Sequence, residues 1–406
     1  MFEGGRTAEP PRARRMEAEA GGGNVQVQEG GRKSAMKTKA AILRGPQQDW
    51  EVVELELDPP KSNEVLIRFV AAGLCHSDEH LRTGDIPGRY PIIGGHEGAG
   101  VIEQVGPGVT RVKEGDHVVC SFIPSCGRCR FCSTGQQNLC DMGATILEGT
   151  MPDGTFRFHI DGEDLGGICM LGTFSQWSVV SEFSCVAVDK DLPLEKAVLV
   201  GCGVPTGWGS AVYAAGVEPG DTVVIYGIGG IGINAVQGAR HAGAKNVVAV
   251  DPLANKREKA EELGATHSAA SAAEAQQLVW EQLAPGVGAD KAIVTVGVVK
   301  EDVIGEAFNM VRKGGSVTVT GLGNLMENTI HLNGSILTLF QKRVQGTLFG
   351  SANPIYDIKK MLDLYRSGDI KLDELITKTY RLEDINQGYQ DLLDGKNIRG
   401  VILHEH

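Results

Sequence analysis

The spacing of apolar and polar positions changes character once along the chain. From Met36 to about Cys202 it falls into short β-type runs, "EVLIRFVAAG", "GAGVIEQVG", "DHVVCSF" and "SQWSVVSEF", parted by Gly and Pro. Runs of that length between turn residues predict a β-rich unit whose loops carry the polar side chains. After "PTGWGSAVYAAG" the rhythm lengthens. "DTVVIYG", "NVVAVD", "KAIVTVG" and "SVTVTGL" are continuous apolar strands, and "INAVQGARHAG", "NKREKAEELG" and "KEDVIGEAFNMVRKGG" are helical stretches that alternate with them. Strand and helix in alternation predict βαβ units around a parallel sheet, an α/β fold. "NPIYDIKKMLDLYRSG" then predicts a helix and "GKNIRGVILHEH" a closing strand. No solenoid period is visible, and "NKREKAEE" reads as a solvated helix face.

Residues 1–35 stand apart. They mix Gly, Arg and Glu with scarcely an apolar position, too little to build a core, and contain no signal-peptide apolar stretch. We expect them to be disordered. Their acidic residues argue against a transit peptide, and "MKTKAAIL" from Met36 looks like a natural start. The 406 residues favour two domains, and 42% hydrophobic with 22% charged residues is ordinary for a globular protein. No apolar run approaches the ~18 residues that cross a bilayer. A net charge of −12 disfavours a nucleic-acid partner, which needs a basic face. Nine cysteines, an odd number with no secretory signal, suggest thiols and thiolates in a reducing, cytoplasmic setting rather than a disulfide framework.

"YGIGGIG" places Gly227, Gly229, Gly230 and Gly232 directly after a predicted strand and at the start of a predicted helix. In such a G-x-G-x-x-G turn the first glycine permits the tight bend, the second lets backbone approach a pyrophosphate, and the third lets helix pack on strand. Asp251 ends the next strand, where an acid binds the adenosine ribose hydroxyls. An acid there repels a 2′-phosphate, so the expected cofactor is NAD rather than NADP.

Cys126, Cys129, Cys132 and Cys140 follow C-x2-C-x2-C-x7-C spacing. Four thiolates suit tetrahedral zinc, whereas the bacterial ferredoxin run has three residues before its fourth cysteine and a proline after it. Such a set leaves no open coordination position, so it predicts a structural metal. A catalytic zinc needs three protein ligands elsewhere. "GLCHSDEH", "GGHEGAG" and "VGCGVPTG" offer Cys75, His96 with Glu97, and Cys202; the three are scattered, and a lone Cys or His is more often a buried core residue than a ligand.

Taken together, "CHSDEH", "GGHEGAG", the four-cysteine lobe, "GCGVPTGWGSA", "GIGGIG" and "GKNIRGVI" resemble the zinc-dependent medium-chain alcohol dehydrogenases in order and spacing from Met36 to His406. "GTMPDGTFRFHIDGEDLGGICMLGTFSQWSVV" resembles the classical and formaldehyde-oxidising branches rather than the shorter bacterial tetramers. "GVEPGDTVVIYGIGGIGINAVQGARHAGAKNVVAVDP" looks most like the actinobacterial NDMA-dependent nicotinoproteins, which hold NAD tightly and pass electrons to a dye or another redox carrier. The resemblance implies a GroES-like catalytic domain (36–203 and 349–406) with a structural-zinc lobe at about 124–141, and a Rossmann domain (204–348).

It also implies roles. Cys75, His96 and Cys202 would bind a catalytic zinc, with Glu97 as an acid behind the metal and Asp78 orienting the histidine. Ser77 and His80 would relay the proton, His80 delivering it to water. His76 and Arg399 would lie near the pyrophosphate, Lys256 near the adenosine ribose and Thr206 at the nicotinamide; for His76 and Lys256 a plain solvated side chain is the other reading. Phe122 and Ile86 would line an apolar pocket, with Phe122 equally readable as core. The expected reaction is oxidation of an alcohol to an aldehyde, and the reverse, by hydride transfer to NAD, in a homo-oligomer with two zincs per chain. Cys120, Cys169 and Cys185 carry no assigned chemistry. A rival activity is the thiol-adduct formaldehyde dehydrogenase, whose glutathione-using members carry an arginine where this chain has Ala144; other small thiols stay open. A non-catalytic zinc-stabilised binding protein would have lost ligands, relay or glycines, and all are present.

Overall fold

A computed structural model describes residues 35–326 and 329–406, so the disorder expected for the N-terminal segment falls, Ala35 aside, outside the described residues. Among the described residues the strands form three sheets. A small closed barrel joins Met36–Leu43, Glu51–Leu57, Phe158–Ile160, Glu163–Gly167 and Ile92–Ile93. Beside it a mostly antiparallel seven-stranded sheet runs in the order Cys185–Val188, His117–Cys120, Gly98–Val105, Glu64–Leu74, Arg399–Leu403, Ile376–Tyr380, with Trp177–Ser181 also paired to Glu64–Leu74. The C-terminal strand thus lies inside this sheet, between Glu64–Leu74 and Ile376–Tyr380.

The third sheet is parallel throughout, in the order His267–Ala269, Asn246–Val250, Thr222–Tyr226, Ala289–Val294, Val311–Val319, Arg343–Gly346. Its central strands are rich in β-branched residues and fully buried, as a sheet covered on both faces requires. Counted along the chain the order is 3-2-1-4-5-6, which reverses between Thr222–Tyr226 and Ala289–Val294. A ligand crevice opens at such a reversal, beyond the carboxyl ends of the strands.

The predicted strands are present, but "KEDVIGEAFNMVRKGG" is not one helix. It is helical over Glu301–Met310, and extended strand begins at Val311, whose backbone pairs with Ala289. A β-branched residue followed by Gly314 at φ +71° suits a bulged strand better than a helix end. The edge strands His267–Ala269 and Arg343–Gly346 escape the apolar pattern because they are three and four residues long and largely polar.

One apolar cluster spans the two sheet systems, from Ala71, Ala99 and Val119 to Trp208, Ile225 and Ile233. The helix Gly203–Gly209 crosses this seam. At Gly207 a Cβ would collide with the backbone of Ile231 and Ala235, so glycine lets this helix press against the helix Gly232–His241. Cys202 and Thr206 are thereby carried up to the glycine turn. No single helix among the described residues is long and apolar enough to cross a membrane; the bent pair Leu194–Gly201 and Gly203–Ala214 meets the length and composition test.

Candidate active site

Cys75 follows the longest strand of the antiparallel sheet and precedes the short helix His76–Thr83, which ends at Gly84 in the left-handed conformation. That helix turns Asp78 and His80 inward. His96 and Glu97 stand just before the neighbouring strand Gly98–Val105, and Cys202 precedes the seam helix. Residues separated by up to 127 positions therefore converge: one ligand atom from each of Cys75, His96, Glu97 and Cys202 lies within 4.8 Å of the others, and all four residues are buried. Asp78 Oδ2 is 3.0 Å from His96 Nδ1, while its Oδ1 accepts the Gly95 N–H at 2.9 Å. An acceptor at Nδ1 sets the tautomer and leaves Nε2 free for a metal.

The electrostatics suit a cation. The Cys202 thiol donates to Cys75 and, with His96 nearby, holds Cys75 well below the usual thiol range against the effect of burial. Burial opposes a proton on His96, yet Asp78 and Cys75 raise it well above an ordinary histidine. Burial pushes the Glu97 carboxyl up to about 7, although Arg399 pairs with it. Two thiols, one imidazole and an acid with an unpartnered Oε1 form a donor set that fits zinc.

The glycine turn follows the strand Thr222–Tyr226, at the sheet reversal. Gly227 has φ +86° and presses on Val296; Gly232 has no room for a side chain against the Gly227 carbonyl; Gly229 faces open space, with no atom within 4 Å of where a Cβ would stand. Of these three, only the second glycine is free on its outer side, as a pyrophosphate site requires. Asp251 Oδ2 accepts the Ile228 N–H at 2.8 Å, so the acid at the strand end also shapes the turn. Arg399 packs over Gly203 and Gly230 while it pairs with Glu97, joining metal cluster and glycine turn; its buried Nε has no protein partner. The buried Thr206 Oγ1 is likewise unpartnered. These orphaned donors, with the open face at Gly229, fit a dinucleotide.

Residues 61–190 match the family model described as the alcohol dehydrogenase GroES-like domain, and residues 230–367 that of the zinc-binding dehydrogenases. The NDMA-dependent alcohol dehydrogenase of Amycolatopsis methanolica is 66% identical over 373 residues, covering 91% of this chain and 99% of that one. The chain belongs to the zinc-dependent medium-chain alcohol dehydrogenases, of the NDMA-dependent type. This alcohol dehydrogenase is also 61% identical, over 369 residues, to the putative alcohol dehydrogenase D of Mycobacterium tuberculosis, covering 91% of this chain and all of that one. A solved alcohol dehydrogenase zinc-binding domain protein from Burkholderia ambifaria superposes with a TM-score of 0.85 at 30% identity, covering 92% of this chain and 100% of that one.

In this alcohol dehydrogenase, the four cysteines of the lobe also converge. Sγ atoms of Cys126 and Cys132 are 3.9 Å apart, and those of Cys129 and Cys140 4.0 Å. A tetrahedron with Zn–S bonds of about 2.3 Å has edges of about 3.8 Å. Backbone N–H groups of Cys126, Arg128, Cys129 and Cys132 point at the sulfurs. Such bonds from Cys132 and Asp141 draw the Cys129 thiol down to about 6, while burial pushes Cys132 up to about 12.

Burial and tertiary contacts define the surroundings of the remaining expected residues. His80 is 2% exposed, so it does not meet water: Nε2 donates to the Gly297 carbonyl at 2.8 Å and Nδ1 lies 3.1 Å from Asp85. Lys256 is not a solvated side chain; it is buried, its ammonium donates to the Asn397 carbonyl, and burial lowers its affinity for a proton. His76 packs against His80 and Gly297, and burial together with His80 holds its imidazole below the usual value, so it is a poor fixed cation. Phe122 is half-buried and meets the His96 ring edge-on at 5.7 Å between centroids, beside Phe349 at 5.4 Å. Ile86 is buried, and its N–H donates to the His80 carbonyl at 3.1 Å.

The roles of Asp85, Thr295, Gly297 and Asn397 are not legible in the sequence. Thr295 Oγ1 donates to the carbonyl of Gly227 at 2.7 Å, and Gly297 meets His80 across 217 residues of chain. Neither carries a motif. The one signal available is position, since both stand at the carboxyl end of the predicted strand "KAIVTVG", just past the observed strand Ala289–Val294, and loops after parallel strands face the ligand.

Proposed function

We propose that the enzyme carries one catalytic and one structural zinc, uses NAD, and keeps that NAD as a resident redox group reoxidised by an external acceptor while it converts a small alcohol to its aldehyde. The observation that carries this reading is Arg399, which ties the Glu97 of an open three-ligand cluster to the Gly230 of the dinucleotide turn. A bound zinc supplies Lewis acidity at the substrate oxygen, and NAD supplies the hydride acceptor.

The chain's own residues do the rest. Asp78 holds the His96 ring, and Cys75 and Cys202 complete the ligand set. The carboxylate of Asp251 favours ribose hydroxyls over a 2′-phosphate, and Thr206 Oγ1 offers the nicotinamide a hydrogen bond. Ser77 Oγ, 3.7 Å from Cys75 Sγ, is the first proton acceptor, and His80 follows one turn along the helix. His80 passes the proton through Nδ1 to Asp85, whose side chain is 25% exposed and reaches solvent where His80 does not. The Nε2–H bond to the Gly297 carbonyl belongs to one tautomer; the ring accepts a proton at Nε2 only as the other, with its proton on Nδ1 facing Asp85, so the Gly297 bond is broken and remade in each cycle. Phe122 supplies an apolar wall beside His96, with Ile86 behind the relay helix. The naming of the Amycolatopsis relative as NDMA-dependent supports an acceptor other than freely exchanging NAD.

Self-association and a cytoplasmic location complete the reading. Arg343–Gly346 is an outer strand of the parallel sheet, and Leu325, Met326, Ile330 and Leu339, in the segment leading to it, are exposed, a combination that favours pairing with a second copy. Nine free thiols suit a reducing compartment.

One experiment tests these points together. Gel-filtered enzyme is expected to show two zincs by elemental analysis, to release about one NAD(H) per chain on denaturation, and to elute at a multiple of the chain mass by light scattering. A single zinc in fully active enzyme, ready stimulation by added NAD, or a monomer would each overturn the corresponding part.

A further inference from the structure

The loops beyond the carboxyl ends of the parallel strands do more than face a ligand; several of them are tied to the antiparallel sheet system across the crevice. After Asn246–Val250 comes Asp251 and then the helix Ala254–Glu262. From its first turn Lys256 donates to the Asn397 carbonyl and Asn255 Nδ2 donates to the Gly395 carbonyl at 3.2 Å. Gly395 and Asn397 lie just ahead of Arg399, on the approach to the strand Arg399–Leu403 of the other sheet. This is the adenosine end of the crevice, next to the ribose acid.

At the other end, beside the metal cluster, the loop after Val311–Val319 sends the Leu325 N–H to the Asp85 carbonyl at 3.0 Å. The loop after Ala289–Val294 offers the Gly297 carbonyl to His80 at 2.8 Å. Between the two ends, Arg399 packs over Gly203 and Gly230. A dinucleotide spanning Asp251, Gly229 and Thr206 leaves only if the two sheet systems part, and parting breaks these bonds.

We infer that these two sets of bonds, Lys256 and Asn255 to the Asn397 and Gly395 carbonyls at the adenosine end, and Leu325 to Asp85 beside the His80–Gly297 contact at the nicotinamide end, are latches that keep the cofactor resident. The inference rests on the resident-cofactor reading above and supplies its physical cause. The adenosine latch holds throughout turnover, because no proton-relay group takes part in it, whereas the His80–Gly297 bond opens in each cycle. Lys256 thus becomes a positioning residue that acts through closure rather than through contact with the ribose.

The test follows exchange of bound NAD for isotopically labelled NAD in purified holoenzyme, comparing wild type with Lys256→Met, Asn255→Ala and Leu325→Pro. Loss of a buried bond from a charged donor predicts at least about 10-fold faster exchange in Lys256→Met, and loss of a neutral one about 3-fold in Asn255→Ala. Leu325→Pro removes a backbone donor far from the adenosine and is expected to speed exchange by a similar few-fold factor. Asn255 and Leu325 are exposed, so their variants keep the fold even where Lys256→Met does not, with zinc content as the check. Label exchange at the wild-type rate in both Asn255→Ala and Leu325→Pro overturns the latches, even if Lys256→Met alone exchanges faster, since Lys256 is then a direct cofactor contact. Wild-type enzyme that emerges from desalting without NAD overturns the resident-cofactor reading and the latches with it.

Discussion

Glu97 and Arg399 form a buried ion pair between residues 302 positions apart, one beside the metal ligands and the other over the glycine turn. A buried pair is costly to leave half-made, so its presence argues for a positional purpose rather than for stability. Asp78 shows the same logic at smaller scale. It is fully buried, and its carboxylate is divided between His96 Nδ1 and the Gly95 N–H. Asp78→Asn keeps the size but removes the charge that favours the ligand tautomer. Zinc titration of this variant is expected to show about 10- to 100-fold weaker binding at the catalytic site, with a parallel fall in activity. Unchanged affinity would mean that Asp78 is a backbone clip only. At this scale the four cysteines of the lobe, the glycines of the turn and Asp251 are legible because each sits in a local motif, whereas Cys75, His96 and Cys202 are legible only through the family resemblance. Asp85, Gly297 and Asn397 are not, because their partners are set by tertiary contact alone.

Among the elements, the cysteine lobe is short of regular structure: a four-residue helix Arg130–Ser133 and brief 3-10 turns. Its apolar cluster is only Ile123, Cys132 and Cys140 with a few partly buried neighbours. So small a core cannot order the segment, which a saturated metal site can. The lobe is anchored through Gln137 N–H to Asn353 Oδ1 and Asn138 Nδ2 to the Leu348 carbonyl, both at 3.0 Å. Cys132→Ser is therefore expected to lose one zinc per chain and several degrees of melting temperature while the catalytic zinc stays bound at first. Simultaneous loss of both zincs would contradict the separation of the two sites. The end of the helix Glu301–Met310 is misplaced from the sequence because helix propensity says nothing about the register that recruits Val311 into a strand.

For the whole molecule, the C-terminal strand joins the last part of the chain to the strand Glu64–Leu74, and His404 just beyond it reports on that closure. Its backbone N–H donates to the Val70 carbonyl and its Nε2–H to the Thr173 carbonyl, both at 3.0 Å. Burial, more than its neighbours, holds its imidazole down at about 4, against about 6.5 in an unfolded chain. Between those values the unfolded state binds the extra proton, so stability falls as pH drops from about 6.5 to about 4 and is level with respect to this group above and below. The loss amounts to about 3 kcal/mol at most. Denaturant melts at about pH 7.5 and about pH 4.5 are expected to differ less in His404→Gln than in wild type; an equal difference would show that His404 titrates normally.

The sequence by itself determined the parallel sheet, the glycine turn with its acid, and the spacing of the four-cysteine lobe, while Cys75, His96 and Cys202 were singled out only through the family resemblance. Apolar periodicity, glycine steric freedom and thiol spacing are local properties that survive in one dimension. What only the tertiary structure decided is the assembly of the open site and its closure: ligand atoms of Cys75, His96 and Cys202 brought within 4.8 Å of one another, His80 withdrawn from water onto Gly297, and Lys256 buried as a tie to Asn397. These depend on two sheet systems meeting across a crevice. Hydrogen bonds between residues one to three hundred positions apart leave no periodic trace in the chain that makes them.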